Sequence, residues 1–194
     1  MGHHQFKSVD VLTVEDAAAR LEVDGLTHVA RAAFDHAGEL VAPRVGRRPT
    51  VLGAVRLASR RSRCRTLERE RFSSVFDVDA DLVVAAHADL ASHLTPPADE
   101  DDVRSLRRRL VVVHELVAAA ERDRLDALQL PQTYLADDAP WLLGRTQRRA
   151  EASSPRSEAT LDVAALQSHT RRLEADLELA RLGTTLYALV HGEA

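Results

Sequence analysis

Two stretches of apolar residues recur with a seven-residue rhythm, and nothing else in the chain constrains its fold as strongly. Val103, Leu106, Leu110, Val113, Val117 and Ala120 step by 3, 4, 3, 4 and 3 residues. Leu166, Thr170, Leu173, Leu177, Ala180, Thr184 and Tyr187 step by 4, 3, 4, 3, 4 and 3. A chain turning once every 3.6 residues places each series on one side of a helix. Such a stripe has to be buried, either inside a bundle or against a second copy of the chain. The second series predicts one helix from about 161 to 190, which at 1.5 Å per residue is roughly 45 Å long. The first predicts a helix from Asp101 to about Leu128.

The rest of the chain reads as shorter helices. Thr13 is a candidate N-cap, with Glu15 and Asp16 favoured at the positive end of the helix that follows. Leu26, Val29, Ala33, His36 and Leu40 form a second apolar face. Pro43, Gly46 and Pro49 then predict a loop. From Pro49 to about Phe72 an arginine-rich helix is expected, with a small packing face of Val51, Val55, Ala58, Ser59, Ser62 and Thr66. That helix is expected to bury little. Asp79 caps the next helix, which turns Leu82, Val83, Ala86 and Leu90 inward and stops at Thr95-Pro96-Pro97. Residues 129–144, with Trp141 and Tyr134, break the pattern, and Ala152 to Ser157 reads as a mobile linker (152–158). The Val-rich runs at 82–84 and 111–113 lie inside longer helical patterns, so no strand is expected. The expectation is an all-α bundle of five to six helices with two long coiled-coil-like helices near the C-terminus. It has a flexible tail over 1–12 and a single helical domain over 13–194.

Composition narrows the classes. The single cysteine, Cys64, excludes an internal disulfide and a multi-cysteine metal site. Its neighbours Arg63 and Arg65 are cations that lower a thiol pKa, the setting of a redox-active thiolate, although a small packed side chain fits as well. The longest uncharged run, Leu182 to Gly192, has 11 residues, too few to span a bilayer. Met1 to Asp10 has no apolar signal region. A cytoplasmic prokaryotic protein without a membrane partner is expected. Lys7 is the sole lysine among 26 basic residues, an arginine bias expected of a GC-rich genome.

The net charge is −4, but its distribution is uneven. From Arg44 to Arg71 ten arginines face two acids, Glu68 and Glu70, so this segment is +8 and the remainder −4 − 8 = −12. A guanidinium fork matches phosphate and carboxylate geometry and stays protonated. Arg47, Arg48, Arg56, Arg60, Arg61 and Arg63 are therefore the candidate residues for nucleic acid or another anion. Arg56, Arg60 and Arg63 share a helical face, and Gly46-Arg47-Arg48-Pro49 resembles minor-groove Arg-Pro hooks. The alternative is that these arginines pair with the chain's own acids, such as Asp77, Asp79, Asp81 and Asp99 to Asp102. No aromatics interleave them, so base stacking is not expected. Thr13 to Leu21 resembles the opening of a helix-turn-helix, but Gly25 falls late for its turn.

Arg109 and His114 stand either side of Leu-Val-Val-Val. This Arg-x4-His spacing resembles the ribonuclease motif of HEPN-type all-α domains, which implies an arginine on phosphate charge and a histidine assisting 2′-OH attack. His114-Glu115-Leu116 matches three letters of the histidine-kinase phosphoacceptor box, without the basic residue and proline that follow there. Asp24/His28 and Asp89/His93 are i, i+4 pairs, yet no Glu-x-x-His occurs, so no metal or cofactor is expected. Gly-rich phosphate loops and nucleophile elbows are also missing from the sequence. The functional expectation is a non-enzymatic helical interaction or regulatory module, dimeric through its C-terminal helices, whose segment 44–71 takes an anionic partner. The alternatives are a nucleic-acid-binding protein using that segment, and a HEPN-like ribonuclease.

Overall fold

The computed structural model describes residues 11–62, 66–122 and 163–192. The tail up to residue 10, Arg63, Cys64, the segment 129–144 with Trp141, and the linker near 152–158 lie outside the described residues. Among the described residues there are eight α-helices and a short 3-10 turn, with no strand. The helices are α1 (Val14–Arg20), α2 (Thr27–Val45), α3 (Arg47–Arg61), α4 (Arg69–Phe76), α5 (Ala80–Ser92), α6 (Glu100–Glu121), α7 (Val163–Leu182) and α8 (Thr184–His191). No helix among them is long and apolar enough to cross a membrane. The chain divides into two compact units, Met1–Ala98 with Arg181–Ala194, and Asp99–Ala180.

The local start signals act as the sequence predicts. Thr13 Oγ1 accepts from Asp16 N–H while the Asp16 carboxylate takes the Thr13 N–H, a reciprocal capping box. Asp79 caps α5 by accepting from Asp81 N–H. Asp99 caps α6 by accepting from Asp102 N–H. In each case a carboxylate or hydroxyl satisfies a first-turn donor that the helix cannot.

The apolar face of α2 is not the one expected. His36 is exposed and Leu40 is 64% exposed, while Val29, Ala30, Ala33, Phe34, Ala37, Gly38 and Val41 are buried. Leu26, Ala30, Ala33, Ala37 and Val41, all buried, step by 4, 3, 4 and 4 and so stay close to the 3.6-residue turn of a straight helix, whereas a strict seven-residue rhythm drifts off it. The helix also runs through Pro43 to Val45, since a proline this near the C-terminus disturbs only the last turn.

The largest difference lies in the arginine segment. The expected helix over 49–72 is two helices, α3 ending at Arg61 and α4 starting at Arg69. Far from burying little, α3 is the hub of the first unit, with eleven of its fifteen residues buried. Its run Val51-Leu52-Gly53-Ala54-Val55 and Leu57-Ala58-Ser59 is apolar or small all round, as suits a helix surrounded by others. α2 packs on one side and α5 on another. Gly53 makes the second crossing close, because a Cβ there would lie 2.7 Å from Ala86 Cβ and 2.9 Å from His87 N. Leu52 and Leu57 are wholly buried, each contributing about 1.5–3 kcal/mol. Phe72, Phe76, Val83, Leu90, Leu182 and Leu186 complete this core. Leu82, expected inward, is 41% exposed.

In the second unit α6 and α7 pack through Leu110, Val113 and Leu116 on one and Leu166, Leu173 and Leu177 on the other. They run antiparallel. His114 Nε2 lies 3.7 Å from Glu174 Oε1, and Gln167 Nε2 donates to Glu121 Oε1 at 3.2 Å, so seven residues forward on α6 is seven backward on α7. Toward its end α6 buries Leu116 and Ala119, with the expected Val117 and Ala120 only half-buried. The predicted continuous helix over 161–190 breaks at Gly183, where φ is +77°.

Candidate functional site

The six arginines singled out by charge separate along α3. Arg47 and Arg48 open the helix. Arg56, Arg60 and Arg61 lie in its second half, and Arg63 falls outside the described residues. From Arg48 to Arg60 is about 18 Å along the axis at 1.5 Å per residue.

Arg61 is buried. Its Nη1 donates to Leu182 O at 2.7 Å and Thr95 O at 3.0 Å, and burial lowers its pKa without removing its charge. It ties the end of α3 to the loop after α5 and to the α7–α8 junction, which is a structural task. Arg56 is half-buried. Its Nη1 donates to Leu67 O at 3.3 Å, its Nε has no acceptor, and burial followed by the neighbouring Arg60 lowers its pKa. Arg60 is exposed and, among the described residues, has no hydrogen bond or ion pair. The pair stands at i, i+4, where like charges cost about 0.2–0.5 kcal/mol. Across the crossing, His87 of α5 is pushed down to about 4 by burial and by Arg56, Arg60 and Arg61. It is neutral at pH 7 beside positive charge that Glu68 and Glu70 offset only in part.

Four of the eight described arginines in the segment meet carboxylates instead. Arg44 pairs with Asp89 at 3.3 Å, Arg47 with Glu39 at 2.7 Å, Arg69 with Glu70 at 3.2 Å and Asp81 at 3.4 Å, and Arg71 with Glu22 at 3.3 Å. Of the acids expected as partners, Asp81 takes part. Arg48, like Arg60, has no such partner.

A second cation cluster lies at the other end of α3 and was not legible in the sequence. Arg20, in the last turn of α1, joins Arg47 and Arg48 around a cleft of about 860 Å3. Its Nη2 donates to Val75 O at 2.8 Å and its guanidinium lies 4.4 Å over the Phe76 ring. Arg47 lies 5.3 Å over Phe34. Val11, Leu12 and Ala19 give the cleft an apolar side, and among the described residues Asp16 is its one acid. Twenty-seven residues separate Arg20 from Arg47, and no local pattern joins them.

The remaining candidates do not converge. Arg109 and His114 lie on the unbroken helix α6, where five residues turn through about 140°. His114 faces Glu174. Among the described residues no three histidine, cysteine or carboxylate side chains are grouped to hold a metal ion. Arg31, on the second helix of the helix-turn-helix candidate, pairs with Glu15 of the first. No family model, no curated protein and no solved structure matches this chain. The fold and its clusters therefore define only an all-α protein with two arginine clusters on one central helix.

Proposed function

We propose that the protein is a non-enzymatic helical interaction module whose α3–α5 face docks an acidic segment of a protein partner. The supporting observation is the Arg56–Arg60 pair, which enters no ion pair among the described residues, with Glu68 and Glu70 acting on Arg56 only through space, beside neutral His87 while four other arginines of the same segment are ion-paired. An acidic side chain there relieves the like-charge contact and forms charge-assisted hydrogen bonds to both guanidinium groups. Amide shifts read by NMR at low salt test this with polyglutamate. The expected result is perturbation at 56–60 and 84–88, lost in Arg60→Glu. A DNA duplex that perturbs the same amides more strongly than polyglutamate replaces this reading with nucleic-acid binding, and no shift with either rejects both.

The module also pairs with a second copy through α6 and α7. Val111 at 56% and Leu179 at 36% exposure are apolar side chains left on these helices after they have packed on each other. Sedimentation equilibrium is expected to give a mass above 21.3 kDa that rises with concentration, and Val111→Glu to return it to the monomer value. A constant 21.3 kDa rejects the pairing.

A further inference from the structure

We infer that the cleft between α1 and the start of α3 binds a small amphiphilic anion, an oxyanion head carried on an apolar body. Three guanidiniums from two helices converge there, and among the described residues that line the cleft the one carboxylate is Asp16, which is engaged by Thr13. Two of the three are held in place from behind. Arg20 is fixed by Val75 O and the Phe76 ring, and Arg47 by Glu39 and the Phe34 ring. Each uses one terminal nitrogen on its anchor, which leaves further N–H groups for a ligand oxygen. Arg48 is exposed and, among the described residues, makes no hydrogen bond or ion pair.

The start of α3 points the same way. No side chain caps it, and its first two positions are arginines. Positive side chains at the positive end of a helix dipole are disfavoured, whereas an anion at that end is favoured. A bound oxyanion thus offsets both the dipole and the guanidinium charges of Arg20 and Arg48, with Arg47 already facing Glu39. The body of the ligand is set by the rest of the wall. Leu12, Ala19 and half-exposed Val11 offer apolar surface, and a cleft of about 860 Å3 is far larger than inorganic phosphate needs. Carboxylate and phosphate heads share this chemistry, and the experiment separates them.

The inference is independent of the α3–α5 reading, with which it shares no residue. The test uses the full chain and four probes: inorganic phosphate, octanoate, octyl phosphate below its micelle concentration, and octanol. Octanoate or octyl phosphate is expected to shift the amides of 16–20 and 46–50, with octanol inert. Whichever head binds more tightly names the anion. Loss of one charge-assisted contact in Arg48→Ala or Arg47→Ala is expected to weaken binding by about tenfold or more. Arg48 is exposed and, among the described residues, makes no hydrogen bond or ion pair, so its variant is expected to keep the fold, and an unchanged circular dichroism melt verifies this. The inference is overturned if no probe shifts these amides, if both variants bind as the parent does, or if inorganic phosphate binds as tightly as octyl phosphate.

Discussion

His87 carries the clearest pH consequence of any residue. Its folded pKa is about 4 against 6.5 for the free side chain, through burial and the guanidiniums of Arg56, Arg60 and Arg61. Between these two values the unfolded chain takes up the proton and the folded one does not. Stability therefore falls as pH drops through 6.5, and this loss is complete near 4. The gap between these values sets a ceiling of about 3 kcal/mol, and water around a half-buried ring reduces it to the order of 2 kcal/mol. Urea titrations of the parent and His87→Gln at pH 7 and pH 4.5 check this. The parent is expected to lose about 1–2 kcal/mol more than the variant, and equal losses count against the account. Neither the burial of His87 nor that of Arg61 was legible in the sequence. Both follow from the α3–α5 crossing, and the only cue to that crossing is Gly53 set among alanines and valines. Thr13 was legible because its partner is three residues away.

Helices follow the same division between local and distant causes. The caps at Thr13, Asp79 and Asp99 are written within four residues. Of the second seven-residue series, Leu166, Leu173 and Leu177 are buried as their spacing predicts, whereas Thr170, Ala180 and Tyr187 are half-buried and Thr184 is exposed. The end of α7 is different. Gly183 sits in a series that reads as one helix, but it adopts φ +77° and a Cβ there would lie 2.4 Å from Thr95 O and 2.9 Å from Pro96 O. The chain can turn here only without a side chain, for a reason placed 88 residues earlier. Gly183→Ala meets both a left-handed backbone and a backbone clash, so it is expected to cost about 3 kcal/mol or more. It should also raise amide exchange in α8 and at Leu94, read by mass spectrometry. A variant as stable as the parent would mean that the α7–α8 break does not need glycine. α3 departs from its expected form for a related reason. Counting its charges hid its apolar positions, since its arginines cluster at its two ends and leave the middle free to be surrounded.

Over the whole molecule, the contrast of +8 in residues 44–71 against −12 elsewhere turns out to be spent largely within the fold. Arg44, Arg47, Arg69 and Arg71 meet acids, and Arg56 and Arg61 meet backbone carbonyls. Exposed pairs of this kind are worth about 0–1 kcal/mol each, so their main effect is on the potential that the molecule presents. A charge run read from sequence overstates the footprint whenever partners arrive from distant helices, as Asp89 and Glu22 do. Nucleic-acid affinity measures the remainder directly, because each phosphate neutralised adds about −0.9 to the slope of log K against log salt. Ten open arginines would give a slope near −9, whereas Arg48 and Arg60 alone give about −2, and counting Arg63 and Arg65 as well gives about −4. Titrating a short DNA duplex between 20 and 200 mM salt (roughly a Debye length of 20 Å down to 7 Å) is expected to show binding no steeper than that last value. A slope approaching −9 would mean that the ion pairs open on contact with DNA, and that the segment acts as one continuous polyanion site.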